Sequence, residues 1–136
     1  MKSGGKSFGF PKEEHLKSSS DISMVFKRGK SVSCAGARLF FIQRNKRQDE
    51  VGETVPYEYN RIAFVFSRKF GNAVQRNRAR RLGREAYRYL RVVLKQGLDM
   101  ALLVYPDEKA CLKSRLAQLE ILFRKADMVD RNEKDN

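Results

Sequence analysis

Ser67-Arg68-Lys69-Phe70-Gly71-Asn72-Ala73-Val74-Gln75-Arg76-Asn77-Arg78-Ala79-Arg80-Arg81-Leu82, continuing through Arg84, Arg88 and Arg91, is the stretch on which the reading of the chain turns. Between Ser67 and Lys95 stand ten Lys and Arg residues and one carboxylate, Glu85. Like charges spaced i, i+4 on a helix repel one another, so this imbalance implies a partner of opposite charge. At about 100° per residue, with Arg76 set at zero, Arg80, Arg81, Arg84, Arg88 and Arg91 fall within an arc of roughly 140°. Ala79, Leu82, Ala86, Tyr89, Leu90 and Val93 fall on the opposite side, which the pattern assigns to the core. Arg78 lies between the two, its stem placed to cover apolar surface while its guanidinium reaches outward.

The ends of this helix are also written in the sequence. Asn72 is a good N-cap, Gln75 three residues later completes a capping box, and Gly71 permits a tight turn out of a preceding strand. With Gly97 as a stop, the helix is expected over Ala73 to Lys95.

The bulk numbers point the same way. The chain has 136 residues, enough for one domain with one core, and a net charge of +13 from 29 basic and 16 acidic residues. Such a charge implies a polyanionic partner. Seven Arg and no Lys between Ala73 and Leu94 favour phosphate, which the planar guanidinium fork matches. Cys34 and Cys111 form no disulfide framework or zinc spacing and read as reduced thiols of a cytoplasmic protein. No apolar run has the length of a membrane span, and the N-terminus lacks the apolar core of a signal peptide.

Outward from the central helix, the elements follow in order. Residues 1–12 are expected to form a basic arm, 13–127 the folded domain and 128–136 a charged tail. Ile22, Val25 and Phe26 give a short amphipathic helix capped by Ser20 or Asp21 and closed by Gly29. Lys30 to Gly36 reads as a connection, Arg38 to Gln43 as a strand with aromatics on both faces, and 44–60 as a long polar loop. Arg61 to Ser67 is a strand with bulky Ile62, Phe64 and Phe66 on one face and small Ala63, Val65 and Ser67 on the other. The bulky face is expected to pack beneath the arginine helix and the small face to floor a groove. Met100 to Tyr105 reads as an apolar strand, and Ala110 to Asp127 as a helix with a Leu112, Leu116, Leu119, Leu122, Phe123 stripe. The sum is an α+β sandwich, ordered α-β-β-(β)-α-β-α, with its helices on one side of a small mixed sheet.

Catalytic chemistry is hard to find. There is one histidine, His15, in a polar segment, and the paired acids Glu13/Glu14 and Asp49/Glu50 sit in solvated contexts. No phosphate-loop or nucleophile-elbow motif is present. Among the readings of the arginine stripe, a solvated helix and a membrane-surface helix explain less than nucleic-acid binding does. Phe26, Phe40 and Phe41 could stack on unpaired bases, which favours single-stranded RNA. A structural RNA-binding protein or RNA chaperone stays open, while a DNA-binding regulator lacks a helix-turn-helix pattern.

The stretch Ser67 to Leu82, with Gly71-Asn72-Ala73-Val74 ahead of Arg76-Asn77-Arg78, resembles the signature of the bacterial ribonuclease P protein family. Val25 to Val32 and Leu122 to Lys125 are similar to that family's first and last helical segments. The resemblance covers Leu16 to Lys125 and implies the fold of the second domain of ribosomal protein S5, with a left-handed βαβ crossover. It also implies a ribonucleoprotein endonuclease for 5′ maturation of tRNA, whose RNA subunit holds Mg²⁺ and cuts while the protein supplies no catalytic residue, metal site or cofactor. Under that resemblance Arg76, Asn77, Arg78, Arg80, Arg81, Arg84 and Arg88 would bind the RNA subunit. Phe26, Ile22, Phe40, Ala63, Val65, Ser67, Arg68, Lys69 and Asn72 would bind the leader of precursor tRNA. Membrane and DNA are not expected partners. Ile22 stands where the family usually has an aromatic, and the 44–60 loop is longer than usual.

Overall fold

The computed structural model describes residues 12–44, 47, 48, 50–55 and 59–129, without the side chains of 47, 48 and 55. A 3-10 turn at Lys12–Glu14 leads to α1 (Ser19–Arg28), the hairpin β1 (Lys30–Cys34) and β2 (Ala37–Gln43), and a short ribbon β3 (Arg47–Gln48) and β4 (Thr54–Val55). Then follow β5 (Arg61–Phe66), α2 (Ala73–Leu90), a 3-10 turn at Arg91–Val93, β6 (Leu98–Val104) and α3 (Leu112–Lys125). The architecture is α+β, with a four-stranded mixed sheet ordered β1-β2-β6-β5. β2 pairs antiparallel with both β1 and β6, and β5 and β6 run parallel. A parallel pair needs a crossover, and α2 provides it.

β6 occupies the middle of the sheet because nearly all its residues can be buried on both sides. Met100, Leu102 and Val104 join Leu39, Ile62, Tyr87, Leu119, Leu122 and Phe123 in the main core beneath α2 and α3. Ala101 points the other way, joining Ala63, Leu16 and Val25 under α1. The helices therefore lie on both faces, correcting the expectation of one. The reason is the small-residue face itself: Ala63 and Ala101 leave room for Val25, which is 0% exposed.

The segment read as a connection at Lys30 to Gly36 is largely an edge strand. Its pattern is weak because Lys30, Ser31 and Ser33 are exposed and only Val32 and Cys34 are half-buried. Gly36, at φ +88°, makes the tight turn into β2. On the outer side of β1, Lys125 Nζ donates to the Ser33 carbonyl at 2.7 Å. On the outer side of β5, Leu16 N donates to the Ile62 carbonyl at 2.9 Å.

In the loop after β2, Thr54–Val55 pairs with Arg47–Gln48 as a separate ribbon. Residues 45, 46, 49 and 56–58 of the expected loop lie outside the described residues, as do 1–11 of the basic arm and 130–136 of the tail. Met128 is buried in the main core, and Val129 bridges to Leu94.

Two polar clusters tie these layers together. Asp99, 6% exposed on β6, accepts a bidentate pair from Arg61, Nε to Oδ1 at 2.8 Å and a terminal amine to Oδ2 at 2.7 Å. The same guanidinium stands 3.5 Å from Asp21 in the first turn of α1, so it braces that helix against the sheet. The Asp99 hydrogen bond is the main cause that pushes the Arg61 pKa further up. At the other end, buried Glu14 accepts from Arg91 just past α2.

Candidate nucleic-acid interface

The face of the sheet opposite the main core is built in rows set by register. Phe40, Ala101 and Ala63 stand side by side, and the next row toward the open end is Arg38, Leu103 and Val65. α1 covers the first row through Ile22, Val25 and Phe26. Phe26 and Phe40 meet with ring centroids 4.6 Å apart and planes tilted by 58°. Both rings and Ile22 remain half-buried, while Ala63 is covered and sets the depth of the floor.

Beyond α1 the second row is open. Val65 and Leu103 are half-buried, and Arg38 is exposed with its guanidinium 5.7 Å from the centre of the Phe40 ring. Sequence reading passed over Arg38 and Leu103 as site residues. Alternation could have found Arg38, two residues before Phe40 on one strand.

From the end of β5 the chain turns through Ser67, half-buried, to Arg68 and Lys69, both exposed. Phe70 N donates back to the Ser67 carbonyl at 3.0 Å, and the Phe70 ring lies 4.8 Å from Phe66. Asn72 then caps α2, its Oδ1 accepting from Gln75 N at 2.9 Å while Gln75 Oε1 accepts from Asn72 N at 2.8 Å. The expected capping box is therefore formed, and Asn72 is committed to it through its carbonyl oxygen. The same turn joins the groove residues to the arginine helix, so both candidate surfaces meet at one end of the sheet.

α2 is shorter than expected and rotated. It ends at Leu90, and its buried line runs through Ala79, Gly83, Ala86 and Tyr87. Tyr89, expected inside, is 53% exposed. The cause is Gly83: a Cβ there would stand 2.7 Å from Phe64 Cε1, so the helix rides low over the sheet along its glycine. That contact line turns the apolar face by roughly 50° from the one the hydrophobic pattern alone defines.

The rotation sorts the arginines. Arg81 and Arg84 are exposed and make no hydrogen bond or ion pair with any described residue. Arg80 is half-buried, bonding Asn77 Oδ1 at 2.8 Å and lying 5.1 Å above the Phe66 ring. Arg76 bonds the Gly71 carbonyl at 2.5 Å, bracing the turn. Arg78 reaches the far side of the helix and donates to the Ala110 carbonyl at 3.0 Å. Arg88 is paired with Glu85 and lies 4.5 Å over the Tyr89 ring. Arg91, expected on the cationic arc, is turned against Glu14 and leaves that surface.

One buried cation was missed altogether. Arg115 on α3 is 2% exposed, at a position where the Leu119, Leu122, Phe123 stripe continues one turn back. No described helix is long and apolar enough to cross a membrane.

A family model described as Ribonuclease P matches residues 10–127. The ribonuclease P protein component of Dictyoglomus thermophilum is 33% identical over 101 residues, 74% of this chain and 75% of that protein. That of Clostridioides difficile is 31% identical over 121 residues, 88% and 96% of the two chains. The solved RNase P protein from Thermotoga maritima superposes with a TM-score of 0.66 at 26% identity, covering 82% of this chain and 96% of that one. The RNase P protein from Staphylococcus aureus, 20% identical, shares the fold at a TM-score of 0.66 over 88% and 94%.

Proposed function

The chain belongs to the ribonuclease P protein family, the RNA-binding subunit of that endoribonuclease, and on that premise we propose how its two surfaces divide the work. The exposed arginines of α2 grip the catalytic RNA subunit. The open end of the sheet takes the 5′ leader of precursor tRNA. Mg²⁺ belongs to the RNA, which performs the hydrolysis, and the assembly works in the cytoplasm.

The observation that carries this reading is the junction at Ser67–Asn72. It connects the Arg38, Leu103, Val65 row directly to the N-terminus of the helix bearing Arg81 and Arg84. A strand lying on the first surface is thereby held at a fixed distance from an RNA gripped by the second. Such fixed placement turns two separate associations into one oriented complex.

The chemistry of the groove suits a leader of variable sequence. Phe26 and Phe40 offer ring faces, and Arg38, Arg68 and Lys69 offer charge, so the contacts fall on base planes and phosphates. Asp99 and Arg61 hold α1 at the angle that keeps Phe26 against Phe40.

Reconstitution tests the proposal. The chain is mixed with its cognate RNA subunit at low Mg²⁺, and 5′ cleavage of precursor tRNA is compared for long and single-nucleotide leaders. The expected result is a gain of about tenfold, or 1.4 kcal/mol, that depends on leader length. Equal rates with and without the chain would overturn the proposal, and a gain independent of leader length would overturn the groove assignment.

A further inference from the structure

On the side of α2 away from the leader groove lies a cleft of about 330 Å³, between the first turns of that helix, the connection after β6 and the start of α3. Its size is within the range of about 300 to 1,000 Å³ usual for ligand clefts. Donors and acceptors both line it: Gln75, Arg78 and Arg115 on one hand, Asp107 and Glu108 on the other, with Phe70 as an apolar wall.

Arg115 is the unusual member. A guanidinium carries five donors, yet this one is almost fully buried, has no acceptor at Nε, and makes one side-chain bond, to the neutral Gln118 amide oxygen. No carboxylate forms an ion pair with it among the described residues. Burial pushes its pKa down, and Asp107 opposes that shift only through space. A buried charge without a counter-charge is costly, so its retention in a cleft wall points to something the cleft receives.

The mixture of charges narrows what that is. A phosphate would suit the arginines and be repelled by Asp107 and Glu108, while a cation would meet the reverse. A neutral ring with two acceptors on one edge and two donors on the next satisfies both sets. Guanine has that pattern: O6 and N7 accept from an arginine fork, and N1–H and N2–H₂ donate to a carboxylate. Adenine offers no such pair of donors to a carboxylate.

We propose that this cleft receives an unpaired guanine base, held by Arg78 and Arg115 on its acceptor edge and by Asp107 or Glu108 on its donor edge, against the Phe70 wall. The inference rests on the RNA-binding reading above, and it adds a base-specific contact to a protein whose other surfaces bind phosphates and ring faces. Guanine could come from RNA or from a free nucleotide. Arg78 is already fixed across the mouth of the cleft by its bond to the Ala110 carbonyl.

The test uses the full chain and four probes, the 5′-monophosphates of guanosine, inosine, adenosine and cytidine, with affinity measured by titration calorimetry and the site located in the parent chain by the Arg115 Nε–H resonance. The expected result is that the guanosine form binds about fivefold or more tightly than the adenosine and cytidine forms, which share its phosphate. The inosine form, lacking N2–H₂, should fall between, and D107N with E108Q should erase the guanosine–inosine difference. R115M should abolish the preference, and these exposed-acid variants keep the test alive if R115M does not fold. Equal binding of all four, or no response at Arg115, overturns the proposal.

A second arm separates the sources. A single-stranded oligoadenylate carrying one guanine should bind better than its all-adenine form if RNA supplies the base. Preference confined to mononucleotides would instead identify a free-nucleotide site. Absence of any guanine preference in the parent chain alongside intact stimulation of cleavage would defeat only this inference, leaving the assignment of the two RNA surfaces standing.

Discussion

Gly83 of α2 lies so close to Phe64 of β5 that an added methyl carbon would stand 2.7 Å from Cε1 and 2.8 Å from Cδ1 of the ring. Two effects compete on replacing it by alanine. Helix propensity would favour Gly83→Ala by about 1 kcal/mol. Overpacking against a ring already set in the main core costs about 1 to 3 kcal/mol. Chemical denaturation should show a net loss of up to about 2 kcal/mol, partly restored by Phe64→Leu. A stabilised Gly83→Ala protein would mean that the helix does not ride on its glycine.

Arg91 separates a structural arginine from the RNA-binding ones. Glu14→Gln removes the charge that Arg91 faces, and because that guanidinium is 28% exposed the cost should be about 1 to 3 kcal/mol, below the range for fully buried pairs. The dependence of RNA affinity on salt should stay as in the parent protein. A changed salt dependence with unchanged stability would return Arg91 to the RNA surface.

Among the arginines of α2, the structure sets a ranking. Arg81→Ala and Arg84→Ala should each reduce the slope of log affinity against log salt by about 0.7 to 0.9. Arg88→Ala should reduce it less, since its charge already faces Glu85. Filter binding across a salt series reads the difference, and equal slopes for all three variants would contradict the ranking.

Tyr87, fully buried and edge-on to Phe123 at 6.3 Å, gives a pH dependence. Burial is the main cause that pushes its phenol well above the ordinary value of 10.0, with the Glu14 carboxylate adding to it. Below pH 10 both folded and unfolded chains keep the proton. Above it the unfolded chain releases the proton first, so stability falls with rising pH by up to about 1.4 kcal/mol per unit. Tyr87→Phe should remove that component from urea denaturation measured between about pH 9.5 and 11.5. Identical slopes for the two proteins would show that the phenol ionises as freely inside as outside.

Much of this molecule could be read from local pattern. The capping box at Asn72 and Gln75, the bulky and small faces of β5, and the apolar run of β6 each depend on neighbours in sequence, and each appears in the structure. What escaped depends on contacts between distant elements. Tyr87 rather than Tyr89 faces inward because Phe64 meets Gly83, a fact absent from the helix's own periodicity. β1 was missed because an edge strand needs only Val32 and Cys34 half-buried. α1 was assigned to the wrong side because nothing in its amphipathic pattern says which face of the sheet it will cover. Of the candidate interface, the residues at the turn from β5 to α2 stood out in the sequence. Arg38, Leu103 and Arg115 did not, since a single cation within a strand or helix has no signature until its surroundings are known.

The bonds from Lys125 to Ser33 and from Leu16 to Ile62 sit on the two outer strands of the sheet. Each interrupts the row of amides and carbonyls that a foreign strand would need for docking, and lysine at position 30 adds charge to one border. Stacking of copies into fibrils is thereby discouraged at both margins. A molecule this cationic, crowded around long polyanions at high local concentration, can gather there without templating its own aggregation.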